Sequence, residues 1–300
     1  MNILFNSSLP RSGSTLLSNL LAQSPDLHCS PTSDVIELLV QLRNSYGNFE
    51  GFQAQGVFAV APRIKTAMRG LLTGFYADEV AAGKTVVDKS RGWMAYLELL
   101  EDILGERVRV VCCVRDIREI VASFERLYRT SQLTKSDVGG DGYFECQTTE
   151  GRAERLLSPG SVVGLSLARL HDVYTRQMDD RLIIVPYEQL VRDPAGVIMI
   201  LCVQLGLTPF VVNASNVEQQ THEADDVHGM RLHDVRQVVN KDGSTTWQDY
   251  LPDDLGQELH SRYQWVQELA GVNHGQTDQL RDQDRADSTE SVREDFADTH

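Results

Sequence analysis

Ile3-Leu4-Phe5-Asn6-Ser7-Ser8-Leu9-Pro10-Arg11-Ser12-Gly13-Ser14-Thr15-Leu16-Leu17 is the stretch on which the fold turns. Ile3 to Phe5 reads as a short buried strand, and Leu16, Leu17, Leu20 and Leu21 recur at helical spacing. Between them lies a loop of small polar residues with one Pro and one Gly. Strand, loop, helix is a layout in which backbone N–H groups of the turn and of the helix N-terminus converge on an anion. A nucleotide-hydrolysing P-loop needs GxxxxGK[ST]. In that frame Ser8 stands for the first glycine and Ser14 for the lysine, so the cation that reaches the terminal phosphates is missing. Arg11, inside the loop, supplies a cation instead. A polar strand-to-helix turn capped by Ser14 or Thr15 is the plainer alternative.

Outward from this loop the same alternation continues. A helix is expected from Asp34 to about Arg43, an aperiodic loop over 44–61, and a helix through Ile64, Ala67, Met68, Leu71, Leu72, Phe75 and Tyr76, ended by Gly83. Thr85 to Asp88 is a strand candidate, and Trp93 to Leu104 a helix. Val108 to Val114 is a continuous apolar run, the pattern of a strand buried on both faces, and a helix follows it over about Ile117 to Tyr128. Residues 131–160 read as a long loop, either a lid or an inert insertion. Val162 to Met178, Pro194 to Leu205 and a segment through Leu255, Leu259, Tyr263, Val266 and Leu269 read as helices, with Leu182 to Val185 another strand. Apolar strands alternating with amphipathic helices predict an α/β, P-loop-like parallel sheet covered by helices on both faces, in a single domain. Ligands of such sheets bind at the carboxyl ends of the strands.

The second loop fits that rule. Val114-Arg115-Asp116-Ile117-Arg118-Glu119-Ile120-Val121-Ala122-Ser123 continues directly from the apolar strand. Arg115 can fork two donors onto a phosphate, and Ser123, about two helical turns on, can add a hydroxyl. Pairing of Arg115 with Asp116 or Glu119 is the structural alternative.

Together these stretches resemble the sulfotransferase family. Leu9-Pro10-Arg11-Ser12-Gly13-Ser14-Thr15 is similar to its 5′-phosphosulfate loop, P-[KR]-S-G-[ST]-[ST], and most similar to the form in the branch that includes tyrosylprotein sulfotransferases. The resemblance covers roughly residues 2 to 272 at motif level. It implies transfer of a sulfuryl group from 3′-phosphoadenosine 5′-phosphosulfate (PAPS) to an acceptor hydroxyl, with no metal. It implies that Arg11, Ser12, Gly13, Ser14 and Thr15 hold the 5′ side, and that Arg115 and Ser123 grip the 3′-phosphate. Val87-Asp88-Lys89-Ser90 resembles the segment that sets a lysine against the transferring group. Pro186-Tyr187-Glu188-Gln189-Leu190-Val191 resembles the motif whose tyrosine touches the cofactor. Val239-Asn240, Thr246-Trp247 and Leu251-Pro252 resemble the segment closing over the nucleotide, which would bring Arg236 and Asn240 near the 3′-phosphate. Two departures stand out. Pro31 and Thr32 occupy the positions of that branch's catalytic Glu, and Thr246 replaces a Lys beside the Trp. Asp34 is the nearest carboxylate to serve as general base, with Glu37 and His28 as alternatives; Arg11 and Lys89 are the expected transition-state cations. A P-loop phosphotransferase and an inactive nucleotide-binding protein are the competing readings.

Composition bounds the rest. The 300 residues are 41% hydrophobic and 24% charged, enough for a sizeable core. A net charge of −15 argues against nucleic acid as the main partner, because neutralising phosphates needs a basic surface. No signal peptide is evident and no run approaches the ~20 apolar residues of a membrane span. The five cysteines, Cys29, Cys112, Cys113, Cys146 and Cys202, are odd in number and contain no CxxC, which suits a reducing compartment and a cytoplasmic protein. His222, His228 and His233 lie six and five residues apart, which puts neither neighbouring pair on one helical face, so no metal site is expected. Gly275 to His300 carries eight acidic residues against three arginines and almost no aliphatics. The domain is accordingly expected over 1–273, with 274–300 an acidic, flexible tail.

Overall fold

Five short strands form one parallel sheet in the order β2-β3-β1-β4-β5. They are β1 (Ile3–Asn6), β2 (Leu27–Thr32), β3 (Thr85–Lys89), β4 (Val110–Val114) and β5 (Leu182–Pro186). The computed structural model describes residues 2–131, 146–223, 239 and 246–269. Every strand pair is parallel, with Asn6 opposite Lys89 and Cys113 opposite Val185. A parallel sheet leaves its helices no choice but the two faces, and β4 shows why. All five of its residues are buried. Alternation sends Val110, Cys112 and Val114 into one core and Val111 and Cys113 into the other.

The first core also takes up helices α2 (Val35–Ser45), α4 (Val57–Phe75), α6 (Leu97–Leu104), α7 (Ile117–Ser131), α8 (Thr149–Leu157) and α9 (Val162–Thr175). The second is covered by α1 (Ser14–Leu21), α10 (Tyr187–Arg192) and α11 (Pro194–Leu205). Pro194 opens α11 beneath the side chain of Asp193, which accepts from Gly196 N–H, and Gly206 closes it with a left-handed φ of 68°. The last described helix, α12, spans Asp253–Arg262, and residues 264–269 are again helical.

Three expectations need correction. The strand β2 was not anticipated: His28, Ser30, Pro31 and Thr32 mask its alternation, although Leu27, Cys29 and Ser30 are buried. As an edge strand it tolerates Pro31, and its register against β3 shifts between Cys29 and Thr32. Residues 44–61 are not a loop: they hold a short turn of 3₁₀ helix, α3 (Glu50–Gln55) and the start of α4. No residue of α3 is buried, so no apolar periodicity betrayed it. The helix from Ile64 thus begins at Val57 and runs through Pro62; a further short helix, α5 (Ala77–Ala81), intervenes before Gly83. The stretch 131–160 is also no continuous loop, since Thr149–Leu157 is α8, capped by the Thr148 hydroxyl on Gly151 N–H at 3.0 Å. The rest of the expected lid, 132–145, and the acidic tail lie outside the described residues.

Polar groups also stitch the first core. Arg152 of α8 forks onto Glu125 of α7, with Nε 2.8 Å from Oε2 and Nη2 2.7 Å from Oε1, while its guanidinium lies 3.9 Å from the ring centre of Tyr128. Asp88 is fully buried and accepts from Trp93 Nε1 at 2.7 Å and from the Tyr76 hydroxyl. Burial raises the Asp88 carboxyl above its ordinary range, against the pull of those donors. Close backbone approach fixes the α8–α9 junction, where a Cβ on Gly164 would sit 2.0 Å from the Ser158 carbonyl oxygen. Gly164→Ala should therefore destabilise the fold by about 1–3 kcal/mol. Gly70→Ala, in α4 with open space around its Cβ position, should instead stabilise it by roughly 0.5–1 kcal/mol. Denaturant unfolding of the two variants tests both signs.

Candidate active site

The loop between β1 and α1 is tied down by its serine hydroxyls. Ser12 Oγ donates within reach of two carbonyls, Leu9 O at 2.6 Å and Cys113 O at 2.9 Å. Ser8 Oγ bonds Asn6 Oδ1 at 2.6 Å and accepts from Cys113 N–H at 2.8 Å. Leu9 N–H reaches the Cys113 carbonyl at 3.1 Å. The loop is thus fastened to β4, and the Ser12 hydroxyl is used inside the protein; what Ser12 offers a ligand is its backbone N–H. Arg11 and Gly13 both have positive φ, 59° and 93°. Such alternation turns successive N–H groups to one side and forms an anion-binding concavity. Gly13 caps α1, whose first amides, from Ser14 and Thr15 onward, have no carbonyl inside the helix to bond. Glycine is required at 13 twice over: by its φ, and because a Cβ would come within 2.7 Å of Tyr187 Cδ2.

The second loop closes on the first. Arg115, at the end of β4, donates from Nη1 to the Arg11 carbonyl at 3.3 Å and from Nη2 to Glu119 Oε2 at 3.2 Å. Its guanidinium lies 4.2 Å from the ring centre of Tyr187, at the start of α10. The Nε of Arg115 is buried and makes no hydrogen bond to any described residue, a donor whose burial costs free energy unless an acceptor is supplied. Arg11 Nε donates to Ser123 Oγ at 3.1 Å. Arg11, Gly13, Arg115, Ser123 and Tyr187 therefore converge as the motifs predicted. The Arg115–Glu119 pairing, the structural alternative for Arg115, is present as well. Glu119 also accepts from Trp247 N–H at 3.0 Å, which anchors the C-terminal segment here. Burial raises the Glu119 carboxyl, with Arg115 pulling the other way. Thr246, where a lysine was expected, caps the short helix at Trp247. Arg236 and Asn240 lie outside the described residues, as do His228 and His233; neighbouring Val239 bonds through N–H to Ala214 O at 3.0 Å.

On the other side of the loop stands Lys89, beside Asn6 at the end of β3. Its Nζ is 2.5 Å from Glu223 Oε1, with both side chains nearly enclosed, at 9% and 5% exposure. The same carboxylate oxygen accepts from Thr32 N–H and Thr32 Oγ1, both at 2.9 Å. Burial pulls the Lys89 ammonium below its ordinary range, and Glu223 opposes that pull. Arg91 shares this electrostatic neighbourhood with Glu223, Arg169 and Asp34. Asp34 is exposed at the N-terminus of α2, and Glu37 is exposed on its first turn. His28 sits near the amino end of β2, its Nε2 3.9 Å from Glu79 Oε1, away from the carboxyl ends where the loops gather, so it does not meet the site. Glu223 was missed altogether. It is 134 residues from Lys89 in an aperiodic stretch, and its only trace in the sequence is the absence of a carboxylate at Pro31 and Thr32. Among the described residues no group of three or more His, Cys, Asp or Glu side chains could hold a metal ion.

The site is thus a loop of inward-turned amides at the carboxyl edge of a parallel sheet, flanked by a stacked arginine and an enclosed lysine, where ligands of α/β sheets bind. Residues 4–210 match the family model described as the sulfotransferase family, and the chain belongs to that family. Among solved structures it is similar to the sulfotransferase domain from the curacin biosynthetic pathway, at 16% identity and a TM-score of 0.50, covering 87% of this chain and 96% of that one. It is also similar to the sulfotransferase domain of the Synechococcus PCC 7002 olefin synthase, at 18% identity and a TM-score of 0.48, covering 87% and 94%. The first likeness shows the shared fold. No curated protein matches the sequence. The chain is thus a sulfotransferase, an enzyme of sulfuryl transfer; the family generally takes the group from PAPS and acts on hydroxyl acceptors. The phosphotransferase and inactive-binder alternatives give way to that assignment.

The Gly13–Tyr187 contact yields a direct test. Gly13→Ala forces a side chain into a left-handed backbone and against the ring that Arg115 stacks on, so it should cost about 1–3 kcal/mol of stability. Urea unfolding of Gly13→Ala beside wild type measures it.

Proposed function

We propose that this chain uses PAPS as its donor, without a metal, and that the loop residues and Arg115 are its grip. The observation that carries this is the buried Nε of Arg115, which has no acceptor among the described residues and stands beside a loop of inward-turned amides. That donor set fits a nucleotide with anionic groups on both its 5′ and 3′ sides. The amides of Arg11 to Thr15 and the hydroxyls of Ser14 and Thr15 hold the 5′ side. Arg115 and Ser123 hold the 3′-phosphate, and Tyr187 keeps Arg115 in place. When bound, the donor supplies a sulfuryl group attached to a phosphate leaving group. Negative charge grows on the bridging oxygen as that bond breaks, and Arg11 and Lys89 are the cations within the site to meet it. The acceptor is a hydroxyl.

A cytoplasmic setting is part of the proposal, on the odd number of cysteines and the lack of a CxxC. No disulfide joins the five cysteines, all of which lie among the described residues, and no described helix is long and apolar enough to cross a membrane.

Calorimetry should find 3′-phosphoadenosine 5′-phosphate bound more tightly than AMP by ~1.5–3 kcal/mol, the worth of a charge-assisted hydrogen bond. Equal affinities would remove the 3′-phosphate assignment, and Arg115→Ala should abolish the difference. Arg11→Ala should lower kcat more than it raises KM for PAPS, in transfer of radiolabelled sulfate with chelator present. An effect on KM alone would make Arg11 an ordinary binding residue.

A further inference from the structure

The site has a cation to meet the leaving oxygen, but Asp34, the carboxylate chosen from sequence to take the acceptor's proton, is exposed at a helix terminus. Glu223 is differently placed. Its side chain is 5% exposed, and one oxygen is held by three donors from two adjacent strands: Lys89 Nζ, Thr32 N–H and Thr32 Oγ1. Thr32 ends β2 opposite Lys89, and Lys89 lies opposite Asn6, where β1 enters the phosphate-type loop. The carboxylate therefore sits two strands from the loop, on the side away from Arg115 and Tyr187. It rests on the position, Thr32, where the resembling branch carries its catalytic Glu in the chain itself.

We infer that Glu223 is the general base of this sulfotransferase, brought from a distant part of the chain to the place that Pro31 and Thr32 leave without a carboxylate. The inference rests on the assignment of the donor to the loop. Lys89 is then shared between two partners. In the free protein it pairs with Glu223. Negative charge on the donor side draws the Lys89 ammonium toward the bridging oxygen and leaves the carboxylate, still oriented by Thr32, to accept a proton. The acceptor oxygen forms its bond to sulfur as the bond from sulfur to the bridging oxygen breaks. The acceptor's proton passes to Glu223, and the electron pair of the broken bond leaves with the bridging oxygen, next to Lys89. Arg91, Arg169 and Asp34 are the other charged groups about this pair. A base idle until the donor arrives keeps acceptor activation tied to donor binding.

Two variants test this. Glu223→Gln keeps the shape and removes the base. It should lower the rate of radiolabelled sulfate transfer from PAPS, with water and simple alcohols as acceptors, by about 100-fold or more. Its calorimetric affinity for 3′-phosphoadenosine 5′-phosphate should stay within about threefold of wild type, the signature of a group that acts on the chemical step. Thr32→Val removes one donor that orients the carboxylate and should lower kcat by roughly fivefold to twentyfold with KM for PAPS unchanged, which keeps the inference testable if Glu223→Gln fails to fold. Transfer by Glu223→Gln within about fivefold of wild type overturns it. So does a loss of nucleotide affinity as large as the loss of rate, which would make Glu223 a support for Lys89 only. Wild-type protein that binds no 3′-phosphoadenosine 5′-phosphate would instead fail the donor assignment itself.

Discussion

Two serine hydroxyls and the peptide of Cys113 hold the site together. Ser8 takes the Cys113 N–H, Ser12 donates toward the Cys113 carbonyl, and Leu9 N–H shares that carbonyl. These bonds fasten the loop after β1 to the end of β4, one residue pair before Arg115. Without them the loop amides and the arginine would belong to independently moving segments. With them, a single rigid edge presents inward-turned N–H groups, a stacked guanidinium and the first turn of α1. Rigidity matters because donors that are already oriented need no reorganisation when charge develops.

The edge has two sides with different chemistry. Toward β4 and β5, Arg115 is braced by Tyr187, Glu119 and the Arg11 carbonyl, and the Glu119 carboxylate extends the bracing to Trp247. Arrangements of this kind suit a fixed anion. Toward β3 and β2, Lys89 and Glu223 form an enclosed ion pair. A buried pair contributes little net stability, since desolvation of both charges offsets their attraction. Such a pair at the edge of a site is better understood as two groups kept in readiness for other partners. Asp88, directly before Lys89, is locked by Trp93 and Tyr76, so the backbone that carries the lysine is itself held in place.

The acid-rich composition does not conflict with an anionic substrate. Arg11, Lys89 and Arg115 are local, partly desolvated and close to the loop, where a charge acts far more strongly than on the open surface. Net charge governs solubility and long-range attraction and does not bear on the pocket.

Much of this was legible in the chain. Apolar strand runs such as Val110–Val114 and helical periodicity such as that of α4 identified a parallel α/β sheet, because burial on two faces leaves a mark in hydrophobicity alone. The first loop was legible too: strand, small polar residues, Gly13, then helix is a local pattern, and local geometry follows from local sequence. Of the elements that escaped, β2 and α3 lack that mark, one because it is a polar edge strand and the other because it buries nothing, while α8 lies in a stretch whose Ser, Thr and Gly residues read as a loop. The contacts between segments were decided only by tertiary structure. Tyr187 against Gly13, Trp247 on Glu119, and above all Glu223 on Lys89 and Thr32 join residues far apart in the chain. Sequence showed that Thr32 could not take a proton; only the folded chain brings a carboxylate to it, because the spatial neighbours of a strand end are set by the packing of every segment that meets there.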